Sequence, residues 1–282
     1  MAGTVIWVIL FILTASIVMF SVARMHFNKI GKNSIEGLLQ QPGSNENINL
    51  EKIRRLPEPV QKYLLRSGIA GKKDIQFVRL KQVGEMRTSN NGRWMPFCAS
   101  QYFETSHPQF VWQTFVKPMP LLTITGRDIF KEGMGNMQIQ LLSLITLAKA
   151  GPDEKTNSAT MIRFLAEASW FPCYYLNDCI QWNSIDSNTA KVTMNYKGYE
   201  VSAIMRFDEN GDLKLFEAQR YRNNKTTTLP ETWQVEMLAY KEFQGWRIPY
   251  KSKVVWKLNT GDFHWANVEI TELEFNCRER YE

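Results

Sequence analysis

Val192-Thr193-Met194-Asn195-Tyr196 and Val201-Ser202-Ala203-Ile204-Met205 alternate apolar and polar side chains, or nearly so, and Val254-Val255-Trp256-Lys257-Leu258 does the same. Successive side chains of a strand point to opposite faces, so this period of two is that of a strand with one face buried. Working outward, turn residues recur between β-rich runs: Asn90-Asn91-Gly92, Asp186-Ser187-Asn188, Asn210-Gly211-Asp212, Asn223-Asn224, Gly245 and Thr260-Gly261-Asp262. Spacings of roughly 10–25 residues with Asn-Gly turns predict successive antiparallel hairpins from Ile75 onward.

One block breaks the pattern. Residues 138–150 are apolar nearly all round (Ile139, Leu141, Leu142, Leu144, Ile145, Leu147), which predicts a helix buried on most sides. Residues 156–171 predict a second helix, with Met161, Phe164, Leu165 and Ala168 on one stripe and Pro172 at its exit. A shorter helix starts at Leu56-Pro57-Glu58-Pro59, carries Val60, Tyr63 and Leu64 on one stripe and stops at Gly68. Strands, two helices, then strands again predict an α+β fold: a curved antiparallel sheet, a half-barrel, with the two helices in its concave face.

Ahead of this domain, residues 2–23 carry no charge. About 20 apolar residues of helix cross a hydrocarbon layer of about 30 Å. Thr14, Ser16 and Ser21 interrupt the run, but hydroxyls bond back to the helix backbone. Ser21-Val22-Ala23 would suit signal cleavage, yet no Lys or Arg precedes the run and it exceeds the usual apolar length, so an uncleaved anchor is expected. Arg24, Lys29 and Lys32 follow it, which by the positive-inside rule holds the domain in the cytoplasm, the opposite side being the alternative. The expected organisation is an anchor over residues 1–23, a basic and polar linker over 24–55 that includes Pro42-Gly43-Ser44-Asn45-Glu46-Asn47, and a half-barrel domain over 56–282.

The net charge of +6 lies wholly in residues 24–73, which hold ten Lys or Arg against four Asp or Glu, whereas residues 74–282 hold twenty-four of each. The excess sits beside the anchor, where it can meet anionic headgroups, and nucleic-acid binding loses its compositional support. Cys98, Cys173, Cys179 and Cys277 lack metal-ligand spacing and read as scattered thiols, with a local Cys173–Cys179 disulfide as the alternative in an oxidising compartment. His26, His107 and His264 form no metal or hydrolase motif, and Gly133-Met134-Gly135 lacks the third glycine of a dinucleotide loop because Gln138 stands there. Asn224-Lys225-Thr226 matches a glycosylation acceptor by chance composition.

Arg163, Glu167 and Trp170 fall at i, i+4 and i+7, one helix face. Such a face makes either a polar site for an acidic headgroup or a structural ion pair under an aromatic lid. Eight tryptophans lie beyond the anchor, and large rings between sheet and helices make a core or line an apolar cleft.

With these residues in view, an ordered series stands out: Leu56-Pro57-Glu58-Pro59-Val60-Gln61-Lys62-Tyr63-Leu64, Trp94-Met95-Pro96-Phe97, Pro108-Gln109-Phe110-Val111-Trp112 and Gly133-Met134-Gly135. It continues through Arg163-Phe164-Leu165-Ala166-Glu167-Ala168-Ser169-Trp170-Phe171-Pro172, Gln181-Trp182 and Trp256-Lys257-Leu258. Over residues 55–276 the chain resembles a bacterial family of membrane-anchored proteins classed as a domain of unknown function. The resemblance implies no activity. Its architecture is similar to the lipoprotein-carrier half-barrels, which cup acyl chains, and this analogy is one of fold. Those carriers work outside the cytoplasm, so the resemblance and the flanking charge point to opposite sides.

The expected function is that of a single-pass membrane protein whose half-barrel binds a membrane lipid or other apolar small molecule without cofactor or metal. Trp170, Trp182 and Trp256 would line the cleft, and Arg163 with Glu167 would mark its polar end. No catalytic residue is assigned. Two other readings stay open: a membrane-associated hydrolase or isomerase with its site near Arg163 and Glu167, and a non-catalytic interaction module with a filled core.

Overall fold

A computed structural model describes residues 2–42, 47–120, 122–222 and 229–281. The Asn223-Asn224 turn, the Asn224-Lys225-Thr226 triplet and part of the Pro42–Asn47 stretch lie outside the described residues.

The alternating runs are strands. The first half of the domain contributes β1 (Phe77–Met86), β2 (Met95–Glu104), β3 (Gln109–Met119), β4 (Leu122–Lys131), β5 (Met134–Leu141) and β6 (Ile145–Ala150). The second half contributes β7 (Ile180–Asp186), β8 (Thr189–Tyr196), β9 (Tyr199–Phe207), β10 (Leu213–Arg220), β11 (Glu231–Phe243), β12 (Trp246–Leu258) and β13 (Gly261–Phe275). They form one antiparallel sheet in the order β6-β5-β4-β3-β2-β1-β13-β12-β11-β10-β9-β8-β7. Each half is therefore a meander of hairpins, and the two meet where β1 pairs with β13.

Four helices accompany the sheet among the described residues: α1 (Ala2–Leu39), α2 (Leu50–Arg54), α3 (Glu58–Arg66) and α4 (Glu154–Glu167). The chain passes from one sheet edge, β6, to the other, β7, through α4 and two 3-10 turns, Ala168–Trp170 and Pro172–Leu176. Asp153 caps α4 by accepting from the Thr156 N–H at 2.9 Å.

That crossing fixes the curvature. In the flat order β5 and β9 are nine strand spacings apart, about 43 Å at about 4.8 Å each. Yet the single side chain of Asn157 on α4 accepts from Gly135 N–H on β5 at 2.8 Å and donates to the Tyr199 hydroxyl on β9 at 2.8 Å. The sheet therefore curls around α4 as a half-barrel. Lys197 in the β8–β9 turn meets Glu132 in the β4–β5 turn at 3.1 Å, which closes one corner of the opening.

The α+β half-barrel stands as expected, with one correction. Residues 138–150 are not a helix but the β5–β6 hairpin, turning at Leu142-Ser143, both with positive φ (53° and 61°). A run apolar on both parities reads equally as a buried helix or as a strand pair with apolar side chains on both faces. The helix that joins α4 against the sheet is α3, whose Val60, Tyr63 and Leu64 are fully buried in the main core.

The linker expected over residues 24–55 also differs. Helix α1 runs on to Leu39, and α2 occupies Leu50–Arg54. Phe27, Ile35, Leu38 and Leu39 of α1 are buried on the convex face of the sheet, the last three against Phe77, Tyr102 and Val111. Sparse apolar positions along one helix face give this docking seam, whereas the preceding apolar half of α1 is exposed except at Ser16, Phe20 and Ala23, which are part-buried.

Gly135 explains how closely α4 lies on β5. A Cβ there would fall 2.4 Å from Thr160 Oγ1 and 2.8 Å from the Thr156 carbonyl oxygen. Gly135→Ala should therefore lose about 1–3 kcal/mol by overpacking. Urea unfolding followed by tryptophan fluorescence checks this, and an unchanged midpoint would refute the tight contact.

Candidate functional site

Cross-strand register sorts the concave face of β1 to β5 into rows. Val78, Phe103, Phe110, Phe130 and Gly135 make the first, and Leu80, Gln101, Trp112, Asp128 and Met137 the second. Gln82, Ala99, Thr114, Gly126 and Ile139 make the third, and Gly84, Phe97, Val116, Ile124 and Leu141 the fourth.

The first row is sealed by α4 and the turns after it. Phe103 stacks with Phe171 at 4.9 Å, and Phe164 packs on Phe130 at 6.0 Å and on Tyr174 at 4.9 Å. All five phenylalanines of this layer are fully buried. Aromatic packing of this kind makes a core, and the deep end of the half-barrel is filled by it.

The second row is where charge enters. Arg163 donates from Nη1 to Asp128 at 2.5 Å and from Nε to Glu167 at 2.8 Å. The other carboxylate oxygen of Glu167 accepts from Gln101 Nε2 at 2.7 Å. The guanidinium lies over Trp112 at 4.6 Å and Phe110 at 5.1 Å. Trp112 in turn donates from its indole to Gln82 at 3.0 Å. Across the cup, Arg220 of β10 donates to the Ala159 carbonyl oxygen at 3.0 Å and lies over Trp233 at 4.7 Å and Trp256 at 5.6 Å.

Two guanidinium groups and two carboxylates thus share one neutral cluster inside the half-barrel. The side chains of Arg163, Asp128 and Glu167 keep 15, 20 and 11% exposure, so the cluster is close to, but not sealed from, solvent. Burial pushes the carboxyls of Asp128 and Glu167 up, and the charge of Arg163 opposes this. Burial works against the charge of Arg163, and Glu167 and Asp128 outweigh it, so its pKa rises. Arg220 is lowered to about 10, by burial first and by Arg163 second, and remains charged at neutral pH.

Of the residues singled out from sequence, Arg163 and Glu167 form one pair and Trp256 joins them through Arg220. Trp170 is buried against Phe103 at 6.3 Å, on the filled side. Trp182 lies apart, donating to the Tyr175 carbonyl oxygen at 3.1 Å and packing on that ring. Asp128, Gln101, Arg220, Trp112 and Trp233 were missed by the sequence reading. Asp128 shares the strand parity of Phe130, and Arg220 that of Phe216 and Ala218, so a charge on the buried parity of a strand was the signal.

Two buried polar atoms bordering the cluster lack a hydrogen-bond partner: Gln101 Oε1 and Trp233 Nε1. One is an acceptor and the other a donor, and buried groups of this kind are normally satisfied by protein, water or ligand.

Beyond the cluster lie the third and fourth rows, in which Gln82, Ala99, Thr114, Gly126, Phe97 and Val116 are buried while Gly84, Ile124, Ile139 and Leu141 are part-buried. Their floor holds small residues, Ala99, Thr114 and Gly126, and their wall is apolar: Phe97, Val116 and Ile124, with Met86, Met95 and Val268 alongside. Elsewhere, Gly133-Met134-Gly135 is a turn at Gly133 (φ 78°) followed by the α4 contact, not a phosphate loop. The four cysteines are free. Among the described residues no group of three His, Cys, Asp or Glu is placed to hold a metal ion.

Residues 54–275 match a family described as a family of unknown function (DUF6920). No curated protein matches the sequence. Among solved structures, the chain is similar to a LolA superfamily protein from Nitrosomonas europaea, with a TM-score of 0.43 and 8% identity, covering 77% of this chain and 94% of that one. It is similar also to a putative outer membrane lipoprotein-sorting protein domain from Vibrio parahaemolyticus, with a TM-score of 0.39 and 10% identity, covering 79% and 93%.

Proposed function

For a chain that belongs to the DUF6920 family of unknown function, we propose the role of a membrane-anchored half-barrel that holds one lipid or other apolar amphiphile. The polar end of the ligand would sit at the Arg163–Asp128–Glu167–Arg220 cluster and its apolar part along the third and fourth rows. The observation that carries this is the pair of unsatisfied buried atoms, Gln101 Oε1 and Trp233 Nε1, on either side of a charged cluster. Ligand groups that accept and donate, such as hydroxyls and carbonyls, would satisfy them. Trp112, Trp233 and Trp256 supply rings beside it, and the apolar side chains of the fourth row would supply the wall.

Helix α1 supports the membrane part. Its stretch from Thr4 onward is long and apolar enough to span a bilayer. It also continues without a break into the seam docked on the domain, which an anchor requires and a removable leader does not. Arg24, Lys29 and Lys32 on the domain side support the cytoplasmic face.

A second reading, a filled interaction module, is favoured by the near-complete burial of Phe97 and Val116 in the fourth row. Lipid content separates the two. Full-length protein in mild detergent should retain about one bound lipid per chain, and Ile124→Lys, which sets a charge in the apolar wall, should cut this at least about fivefold. Ile124 is only partly buried, so the variant should keep a wild-type circular dichroism spectrum. A folded wild-type chain with no more lipid than Ile124→Lys would sink the binding reading and leave the filled module.

A further inference from the structure

We infer that the rim made by Met119 at the end of β3 and by the β5–β6 hairpin dips into the lipid surface beside the anchor, a contact that rests on α1 being a membrane span. Direction comes from the docking seam. Leu38 and Ile35 of α1 meet Val111, Gly31 faces Gln113, and Phe27 packs on Phe115 at 6.1 Å, with Arg24 over the same ring at 3.9 Å. Arg127 of β4 holds the seam by donating to the Phe27 carbonyl oxygen at 3.2 Å. Helix and strand therefore run antiparallel, and α1 leaves the sheet past the carboxyl end of β3.

Arithmetic then sets the level. From Phe115 to Met119 is about 13 Å of strand, and from Arg24 back to Ser16 is about 12 Å of helix. Met119 thus stands level with the last turns of the apolar segment. Ser16, Phe20, Ala23 and Arg24 are part-buried while the other residues from 12 to 26 are exposed, which marks the helix face nearest the sheet.

The chemistry of the rim matches that level. Met119, Ile145 and Leu147 are each more than half exposed, and Leu144 is exposed as well. The β5–β6 turn is closed by Leu142 and Ser143 at positive φ, where Asn or Gly is the ordinary choice. Leucine is strained in that conformation, and an apolar tip immersed in lipid offsets the strain. Residues 117–126 and 138–150 contain no Asp or Glu, and their charges, Lys117 and Lys149, are both exposed at the flanks. An apolar tip with basic flanks suits an anionic bilayer surface. A second copy pairing along the free β6 edge would bury the same side chains without requiring this placement beside α1.

The test uses the full chain with Cys98, Cys179 and Cys277 changed to Ser, in vesicles of phosphatidylcholine and phosphatidylglycerol. A nitrobenzoxadiazole label is placed at Ile145→Cys, at Ile12→Cys in the anchor, or at Leu238→Cys, which is equally exposed but lies on β11. Doxyl-labelled lipids should quench the label at 145 to within about twofold of that at 12 and leave 238 unquenched, as expected for a group at the interface. A label at 145 that behaves like 238 while 12 is quenched overturns the rim contact and leaves the anchor standing. If neither 12 nor 145 is quenched, both fall. Cross-linking between two 145 positions without lipid quenching overturns the contact in favour of a paired β6 edge.

Discussion

Arg163→Ala will destabilise the domain by about 3–5 kcal/mol, because it strands Asp128 and Glu167 as buried charges with one partner removed from each. The deficit will depend on pH in a defined direction. Burial raises both carboxyl pKa values in the folded chain. Above the ordinary carboxylate range, near about 4, the folded chain therefore binds more protons than the unfolded one. Stability from these groups is present below that range and is lost as pH rises through the raised values. In the native chain Arg163 opposes the shift, and in the variant that opposition is gone. The deficit should thus shrink as the pH is lowered from about 7.5 to about 5, and Arg163→Ala combined with Asp128→Asn and Glu167→Gln should regain most of it. Urea midpoints at the two pH values check this, and a small, pH-independent deficit would contradict the cluster as described.

Phe164→Ala should be as severe, also about 3–5 kcal/mol. The ring lies between Phe103 at 6.1 Å, Phe130 at 6.0 Å, Phe171 at 5.7 Å and Tyr174 at 4.9 Å. It is the wedge by which α4 holds β2 and β4, and nothing nearby is free to collapse into the space. Phe164→Leu, which keeps much of the volume, should lose less than half as much. Equal losses for the two would mean that ring geometry, not filling, is what the layer needs.

The sequence was informative where one parity of a strand is buried and the other is wet. Val192–Tyr196 and Val201–Met205 are β8 and β9 for that reason, and Gly245 and Thr260-Gly261-Asp262 are the turns around β12. It misled at residues 138–150, where Ile139 and Leu141 lie on the concave face, Ile145 pairs with Leu141 on that face, and Leu144, Ile145 and Leu147 are exposed at the sheet edge. No turn residue marked Leu142-Ser143, so a hairpin looked like an unbroken greasy helix. The extension of α1 to Leu39 was hidden because its docking rests on few side chains, Phe27, Ile35, Leu38 and Leu39 with Gly31 between, too sparse a pattern to separate from a linker. Within the site, Arg163 and Glu167 could be paired from their spacing on one helix. Asp128, Gln101 and Arg220 could not, since sheet curvature brings them to that helix from strands 35, 66 and 61 residues away along the chain.

What unites these observations is a half-barrel filled at one end by α4 and its aromatic layer, charged at its middle, and lined beyond the charge by apolar rows. Native mass spectrometry of the full-length chain released from mild detergent tests this most directly. The account predicts a dominant species heavier than the polypeptide by the mass of one amphiphile, lost from Ile124→Lys. A wild-type spectrum holding only the bare chain would contradict it.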